Sequence, residues 1–303
     1  MQIVLSHSLE KPRILFVSGI IVAPPNSEPE QSTVHCLRFR SILQEKPHGP
    51  LIQKPTFHPV LESDTGYDIS PPVHGLLCCY SNNKSVICNP SSGRYFDLPD
   101  VTQASEFFLG FDPVCNVLKV LSMAKYDSCS ETRVLTLIPD GNRVWQTLDS
   151  LVPHMSTSHG LCLGGKIYYI ALREDYITNF LMCYNLQTEE FSIISLPQEI
   201  EVENYFLYRS CDMLVTFNGK LAIARDENED GALTIWNLEE DGTTCFLPRY
   251  ESVIDQYVIY HDPNKQIVEK VRIEGDFRDF AGSIEPFLDY IENPALIPIG
   301  PPF

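Results

Sequence analysis

The sequence predicts an all-β chain: a kelch-like β-propeller of about six blades with an irregular, Pro-rich N-terminal part. Three observations carry that expectation. Short apolar runs of strand length alternate with separators rich in Asn, Asp, Gly and Pro, and no stretch of about 12 residues or more repeats with the period of an amphipathic helix. The turn positions Asn89, Pro139, Asn185 and Asn237 recur at spacings of about 50, 46 and 52 residues. Each follows an apolar strand and precedes one that ends in Leu, which gives about four strands per unit of about 50 residues, the range of a propeller blade. A pair of β-sandwich domains is the structural alternative, but it does not require four-strand units at this spacing.

Residues 11–18 (KPRILFVS) read as the first strand, with Pro12 fixing its entry, and 33–39 as the second, alternating polar and apolar. Between them Pro24, Pro25 and Pro29 mark an exposed loop. Residues 44–72 carry prolines at 47, 50, 55, 59, 71 and 72, which predicts an extended, irregular segment. From Val73 the pattern sharpens. Residues 75–80, 85–88 and 94–98 are three short strands, separated by Ser81-Asn82-Asn83-Lys84 and Asn89-Pro90-Ser91-Ser92-Gly93. Both separators are turn chemistry: Asn bonds its own backbone, Pro presets φ, and Gly accepts positive φ.

Strand pairs follow at 107–111 with 117–123 about Asp112-Pro113, at 133–138 with 143–148, at 160–163 with 166–172 about Gly164-Gly165, and at 180–184 with 190–196 about Asn185. Further along, 213–217 and 220–224 flank Asn218-Gly219, a tight-hairpin signal. Residues 233–236 and 244–247 flank 237–242, and 256–260 and 267–273 flank Asp262-Pro263, an echo of Asp112-Pro113. The first strand and the C-terminal segment are expected to share one blade, leaving the ring no open edge.

Acidic residues outnumber basic ones 40 to 22, for a formal charge of −18. A nucleic-acid partner, which needs clustered Lys and Arg, is therefore not expected. No run of about 18 apolar residues could cross a membrane as a helix. Lys11, Pro12 and Arg13 stand between two apolar runs, the wrong order for a signal peptide, so an intracellular location, cytoplasmic or nuclear, is expected. The 10 cysteines show no paired framework. They sit mostly in apolar runs such as Leu161-Cys162-Leu163 and read as small buried hydrophobes in a reducing compartment.

Trp145 and Trp236 lie in strands of the repeat and are expected to fill gaps between blades. His74 with Cys78, Cys79 and Cys88 lacks the spacing of a zinc site, and adjacent cysteines in a strand point to opposite faces. His154 and His159, with Ser156 and Ser158, invite a hydrolase reading, yet nothing local supplies a base and an orienting acid in fixed geometry. No catalytic, metal or cofactor site is expected. Propellers bind through their connecting loops, so linkers 125–132, 153–159, 173–179 and 225–232 form the expected recognition rim. Its candidate partner-binding residues are Tyr126, His154, His159, Arg173, Tyr176, Asp226, Glu227 and Glu229. The acidic run at 225–230 reads first as a solvated loop and second as a contact for a basic segment.

Laid out this way, the chain resembles the plant F-box-associated domain found in F-box proteins of the mustard family. The resemblance is carried by Val73-His74-Gly75-Leu76-Leu77-Cys78, by Val86-Ile87-Cys88-Asn89-Pro90-Ser91-Ser92-Gly93 with Leu98-Pro99, and by Leu109-Gly110-Phe111-Asp112-Pro113 with Lys119-Val120-Leu121. Val134-Leu135-Thr136-Leu137 with Trp145, His159-Gly160-Leu161-Cys162 with 164–169, and Leu247-Pro248 extend it over about residues 11–290.

The resemblance implies a substrate receptor of a cullin-type ubiquitin ligase, in which an N-terminal F-box docks on the Skp adaptor and the associated domain recruits a target. Here 12 residues precede Arg13-Ile14-Leu15-Phe16, too few for a helical F-box. Residues 1–10 are thus expected to be a short remnant and 11–303 the F-box-associated propeller domain. The expected function is recognition of a target protein, with Skp adaptor and cullin as partners only where a longer form supplies the F-box. The alternatives are a hydrolase built on a propeller, and a competitor or non-functional fragment.

Overall fold

The computed structural model describes residues 12–22, 34–43, 51–52, 61–63, 67–81, 84–101, 106–123, 132–138, 143–148, 153–175, 178–194, 212–217, 220–226, 233–237, 244–246, 257–262, 267–274 and 284–291. Every regular element among them is a β-strand. The chain divides into two compact units, one of residues 1–97 with 241–303 and one of residues 98–240.

The first unit contains β1 (Arg13–Val22), β2 (Val34–Leu43), β3 (Leu51–Ile52), β4 (Leu61–Ser63), β5 (Asp68–Ile69), β6 (Leu77–Tyr80), β7 (Ser85–Asn89) and β8 (Arg94–Asp97). The second contains β9 (Glu106–Asp112), β10 (Val117–Met123), β11 (Thr132–Leu137), β12 (Gln146–Leu148), β13 (His154–Ser156), β14 (Leu161–Leu163) and β15 (Lys166–Arg173). It continues through β16 (Asn179–Asn185), β17 (Glu190–Ile194), β18 (Asp212–Phe217), β19 (Lys220–Asp226) and β20 (Leu233–Asn237). The chain then re-enters the first unit with β21 (Thr244–Phe246), β22 (Tyr257–Asp262), β23 (Ile267–Glu274) and β24 (Ile284–Tyr290).

These strands form six sheets, with orders β24-β1-β2-β4, β5-β6-β7-β8, β12-β11-β10-β9, β13-β15-β16-β17 with β14 also on β15, β18-β19-β20, and β21-β22-β23-β3. All pairings are antiparallel except β23 with β3, where Ile273 faces Leu51. The N-terminal strand and the last strand share a sheet, with Arg13 opposite Tyr290 and Ser18 opposite Ile284.

The Pro-rich stretch is less irregular than its prolines suggest. It holds β3, β4 and β5, each two or three residues long and each in a different sheet. Proline bars an interior ladder but tolerates a short edge pairing beside it, so composition hides these strands. A second difference lies at 75–80. Val73 and Leu76 bridge around His74 and Gly75, with φ of 51° and 76°, so these two residues make a tight turn and the strand begins at Leu77. Strands β20 and β21 flank 238–243 but do not pair, since β21 joins β22.

One turn recurs. Asn89 faces Arg94, Asp112 faces Val117 and Asn185 faces Glu190, each pair enclosing four residues. In all three the side-chain oxygen of the first residue accepts amide hydrogen bonds from the residues two and three positions on. The distances are 3.0 and 3.3 Å at Asn89, 2.9 and 3.2 Å at Asp112, and 2.9 and 3.2 Å at Asn185. The fourth loop residue is left-handed in each: Gly93 at 68°, Asn116 at 55° and Glu189 at 59°. Side-chain acceptance fixes the first bend, and the left-handed residue returns the chain to its partner strand. Asp262 opposite Ile267 encloses four residues in the same register.

Each unit has a core between two successive sheets. In the first, Leu15, Val17, Leu37 and Phe39 from β1 and β2 and Phe287 and Tyr290 from β24 meet Leu77, Cys79, Val86 and Cys88 of β6 and β7. In the second, Phe108, Leu121, Met123 and Val134 meet Ile167, Tyr169, Ala171, Phe180, Met182, Tyr184 and Phe191. The approach is close where the second core is glycine-lined. A Cβ on Gly160 would stand 2.5 Å from Phe108 Cγ, and one on Gly110 would stand 2.8 Å from Leu186 Cδ1.

Candidate functional site

The linker 153–159 folds onto the edge of β15. Thr157 donates its amide to the Ile170 carbonyl at 2.9 Å, and the Ile170 amide donates to Ser158 Oγ at 2.8 Å. Residues 154–156 consequently form a strand, β13, with His154 opposite Arg173. This corrects the expectation of a rim histidine at 154. The ring is buried in the second core, with Nε2 sharing a 2.8 Å hydrogen bond with the Tyr169 hydroxyl. It stacks on Tyr169 and meets Phe180 edge-on. A buried imidazole needs a polar partner, and Tyr169, fully buried on the facing strand, supplies it. Burial also pushes the Tyr169 phenol well above its ordinary pKa.

His159 is exposed between β13 and β14, and Arg173 is exposed at the end of β15. The two serines of the hydrolase-like set are engaged with backbone: Ser156 Oγ donates to the Ser158 carbonyl at 2.8 Å, and Ser158 Oγ donates to the His159 carbonyl at 3.2 Å while accepting from Ile170. With His154 turned to Tyr169, these residues are not arranged as nucleophile, base and acid.

The loop after Arg173 is acidic and ordered by its own side chains. Asp175 accepts the Thr178 amide at 2.8 Å on one oxygen and the Thr178 hydroxyl at 2.6 Å on the other, closing a turn whose tip exposes Glu174 and Asp175. Both lie inside an expected rim linker, although neither stood among the candidate residues. Asp226 is the last residue of β19. Tyr126, Tyr176, Glu227 and Glu229 lie outside the described residues.

Trp145 precedes β12 instead of lying in it. Its indole donates to the Pro99 carbonyl at 2.9 Å and its ring meets Phe107 edge-on, so it pins the start of β12 to the entry of the same unit. Trp236 lies in β20. Cys78, Cys79, Cys88 and Cys183 are buried thiols, whereas Cys115 in the Asp112 turn is exposed, against the expectation for buried cysteines. Burial pushes the Cys78 thiol up, and contact with the Cys88 thiol together with burial does the same for Cys79. His74 is an exposed turn residue.

One buried charged residue that sequence reasoning gave no role is Lys119. It lies in β10, is nearly fully buried, and reaches the next sheet, donating at 2.6 Å to the Leu186 carbonyl and at 2.6 Å to Glu189 Oε1. The signal was a lone lysine inside the apolar run Val117–Met123, directly opposite Gly110. Charge is unevenly shared between the units. Residues 98–240 contain 21 Asp and Glu against 9 Lys and Arg, a net −12, whereas the other unit has 19 against 13, a net −6.

Successive small antiparallel sheets, joined by repeated turns, define an all-β scaffold of the propeller class. The chain belongs to the F-box associated beta propeller domain family, which matches residues 30–245. An F-box/kelch-repeat protein of Arabidopsis thaliana is 29% identical over 95% of this chain and 81% of its own length. A putative F-box protein of the same plant is 27% identical over 96% of this chain and 81% of its own, and another is 33% identical over 55% and 42%. Among solved structures, the β-propeller domain of the trilobed protease from Pyrococcus furiosus has a TM-score of 0.34 at 9% identity, covering 94% of this chain and 98% of that one. A protein from Lactobacillus plantarum has a TM-score of 0.39 at 11% identity, covering 87% and 97%.

Proposed function

We propose that this chain is the target-recognition domain of an SCF-type ubiquitin ligase receptor, working inside the cell, and that engagement of the Skp adaptor belongs to an F-box and not to this domain. The observation that supports the reading is the family match together with relatives that are F-box proteins aligned over four-fifths of their length. Glu174 and Asp175 are exposed and acidic, and the hydroxyls of the linker 153–159 are committed to backbone, which suits binding better than hydrolysis.

Expression of the chain in Arabidopsis cells, alone and with an F-box fused ahead of residue 1, tests the proposal. The expected result is that both forms recover the same protein or proteins, and that the fused form alone also recovers Skp adaptor and cullin. Recovery of no reproducible protein by either form would sink the receptor reading. Turnover of a substrate by the purified chain would replace it with an enzymatic one.

A further inference from the structure

The outer edge of the β13–β17 sheet is β17, with sequence Glu-Phe-Ser-Ile-Ile. It pairs with β16 from Asn185 opposite Glu190 to Leu181 opposite Ile194, and no described strand pairs its other side. Alternate residues of such a strand direct their N–H and C=O groups outward. Ile193 is 40% exposed and Ile194 is 38% exposed. Consecutive strand residues face opposite sides of a sheet, so each face of this strand carries one exposed isoleucine.

Proteins protect edges with charge, proline, bulges or brevity, and two other edges among the described strands follow that rule. The edge strand β8 carries Arg94 and Asp97, and Lys84 lies 3.1 Å from Asp97 and 5.6 Å from the centre of the Tyr95 ring. The edge strand β12 is three residues long. By contrast β17 has five residues in continuous register, with no Pro, Lys or Arg.

We propose that the β17 edge receives an extended, basic segment of a target protein as an added strand, main-chain bonds supplying the ladder and the two isoleucines gripping alternate apolar side chains. The proposal deepens the target-recognition reading and rests on it for its biological meaning. Charge selects the occupant. The unit carries a net −12, and exposed Glu190 opens the strand, which favours Lys and Arg in the incoming segment. A second copy of this chain would set −18 against −18 and be repelled.

The test uses the purified full chain and a fluorescein-labelled peptide of about ten residues alternating Lys with Val, read by anisotropy. Two control peptides replace Lys by Glu, or place Pro at alternate positions. The expected result is binding of the Lys-Val peptide alone, with slowed amide exchange at 190–194. Ile193→Lys and Ile194→Lys should each weaken binding by about tenfold or more, and Glu190→Lys by several-fold, with unchanged thermal melting.

Absence of binding, equal binding of the Pro-interrupted peptide, or unchanged affinity in the variants overturns the proposal. So does protection of 190–194 that rises with protein concentration without peptide, which would mean that a second copy covers the edge. A target recovered in cells equally by the Ile193→Lys chain removes the edge site and leaves the receptor reading intact. Peptide binding without any cellular target does the reverse.

Discussion

The same turn locks a sheet to its neighbour in both units, but with different chemistry. In the first unit, the turn after Asn89 buries Pro90, and Ser91 Oγ shares a 2.8 Å hydrogen bond with the hydroxyl of Tyr290 on β24. In the second, the turn after Asn185 buries Leu186, and Glu189 with the Leu186 carbonyl takes the buried ammonium of Lys119 on β10. Turn shape is thus a local property, written by an Asx residue and a left-handed fourth position, whereas the lock is set by whatever the preceding sheet presents. One unit waits for the last strand of the chain. The other is complete within residues 98–240.

The sharpest way to break the comparison is to remove the late-arriving strand's contribution. Phe287→Ala empties a core position shared by the first two sheets and is expected to cost about 3 to 5 kcal/mol. Tyr290→Phe keeps the ring and deletes the bond to Ser91, at about 1 kcal/mol. Urea unfolding followed by hydrogen exchange should place the loss in residues 12–97 and 244–291. Equal loosening of 98–240 would mean that the two cores unfold as one.

The complementary lesion is Gly160→Ala in the second unit. The new Cβ would meet Phe108 at its Cγ and Cβ, not at the end of a flexible chain, so a buried ring must move. The expected cost is about 1 to 3 kcal/mol, with exchange rising within 98–240 and little change elsewhere. An unchanged melting temperature would show that the ring yields freely.

These contrasts also mark what was legible beforehand. The hairpins at Asn89, Asp112, Gly164-Gly165 and Asn185 were readable because their turns are coded by adjacent residues. Strands β3, β4, β5 and β13 were not, being two or three residues long and specified by a partner elsewhere. His154 sat among Ser, Thr and Pro and read as a loop residue. What buries it is Tyr169, 15 positions away. Lys119 finds Glu189 across 70 residues, a distance at which no local pattern operates. Of the expected rim residues, His159 and Arg173 are exposed, the latter as the last residue of β15.

A narrower probe of the lock is Lys119→Met, which keeps the length of the side chain and removes its charge. The Leu186 carbonyl then loses its donor and Glu189 its partner, but Glu189 remains about one-third exposed, at 32%, and can rehydrate. The expected loss is about 1 to 2 kcal/mol, below the cost of stranding a fully buried charge. Adding Glu189→Gln should cost little more than the single change, because the pair is already broken. Additive losses would show that the two groups stabilise the unit independently.

The smallest expected effect concerns acid sensitivity, and it separates the Asp112 turn from the Asn89 turn it otherwise copies. Burial raises the Asp112 pKa, but hydrogen bonds from the Cys115 and Val114 amides and the nearby Lys119 charge lower it, and the lowering wins. A carboxyl whose folded pKa lies below its unfolded value, here 3.8, stabilises the fold above the unfolded value. That contribution is lost as pH falls through the folded one. Asn89 has no such titration. Asp112→Asn keeps an oxygen for the two amides and removes the charge, so the second unit should lose less stability than the native one on acidification from about pH 5 to about pH 3. Urea midpoints across that window, read from exchange within 106–123, should converge for native and variant protein as the pH falls. Parallel curves would mean that the turn uses only its amide bonds and that the Lys119 charge serves the Glu189 lock alone.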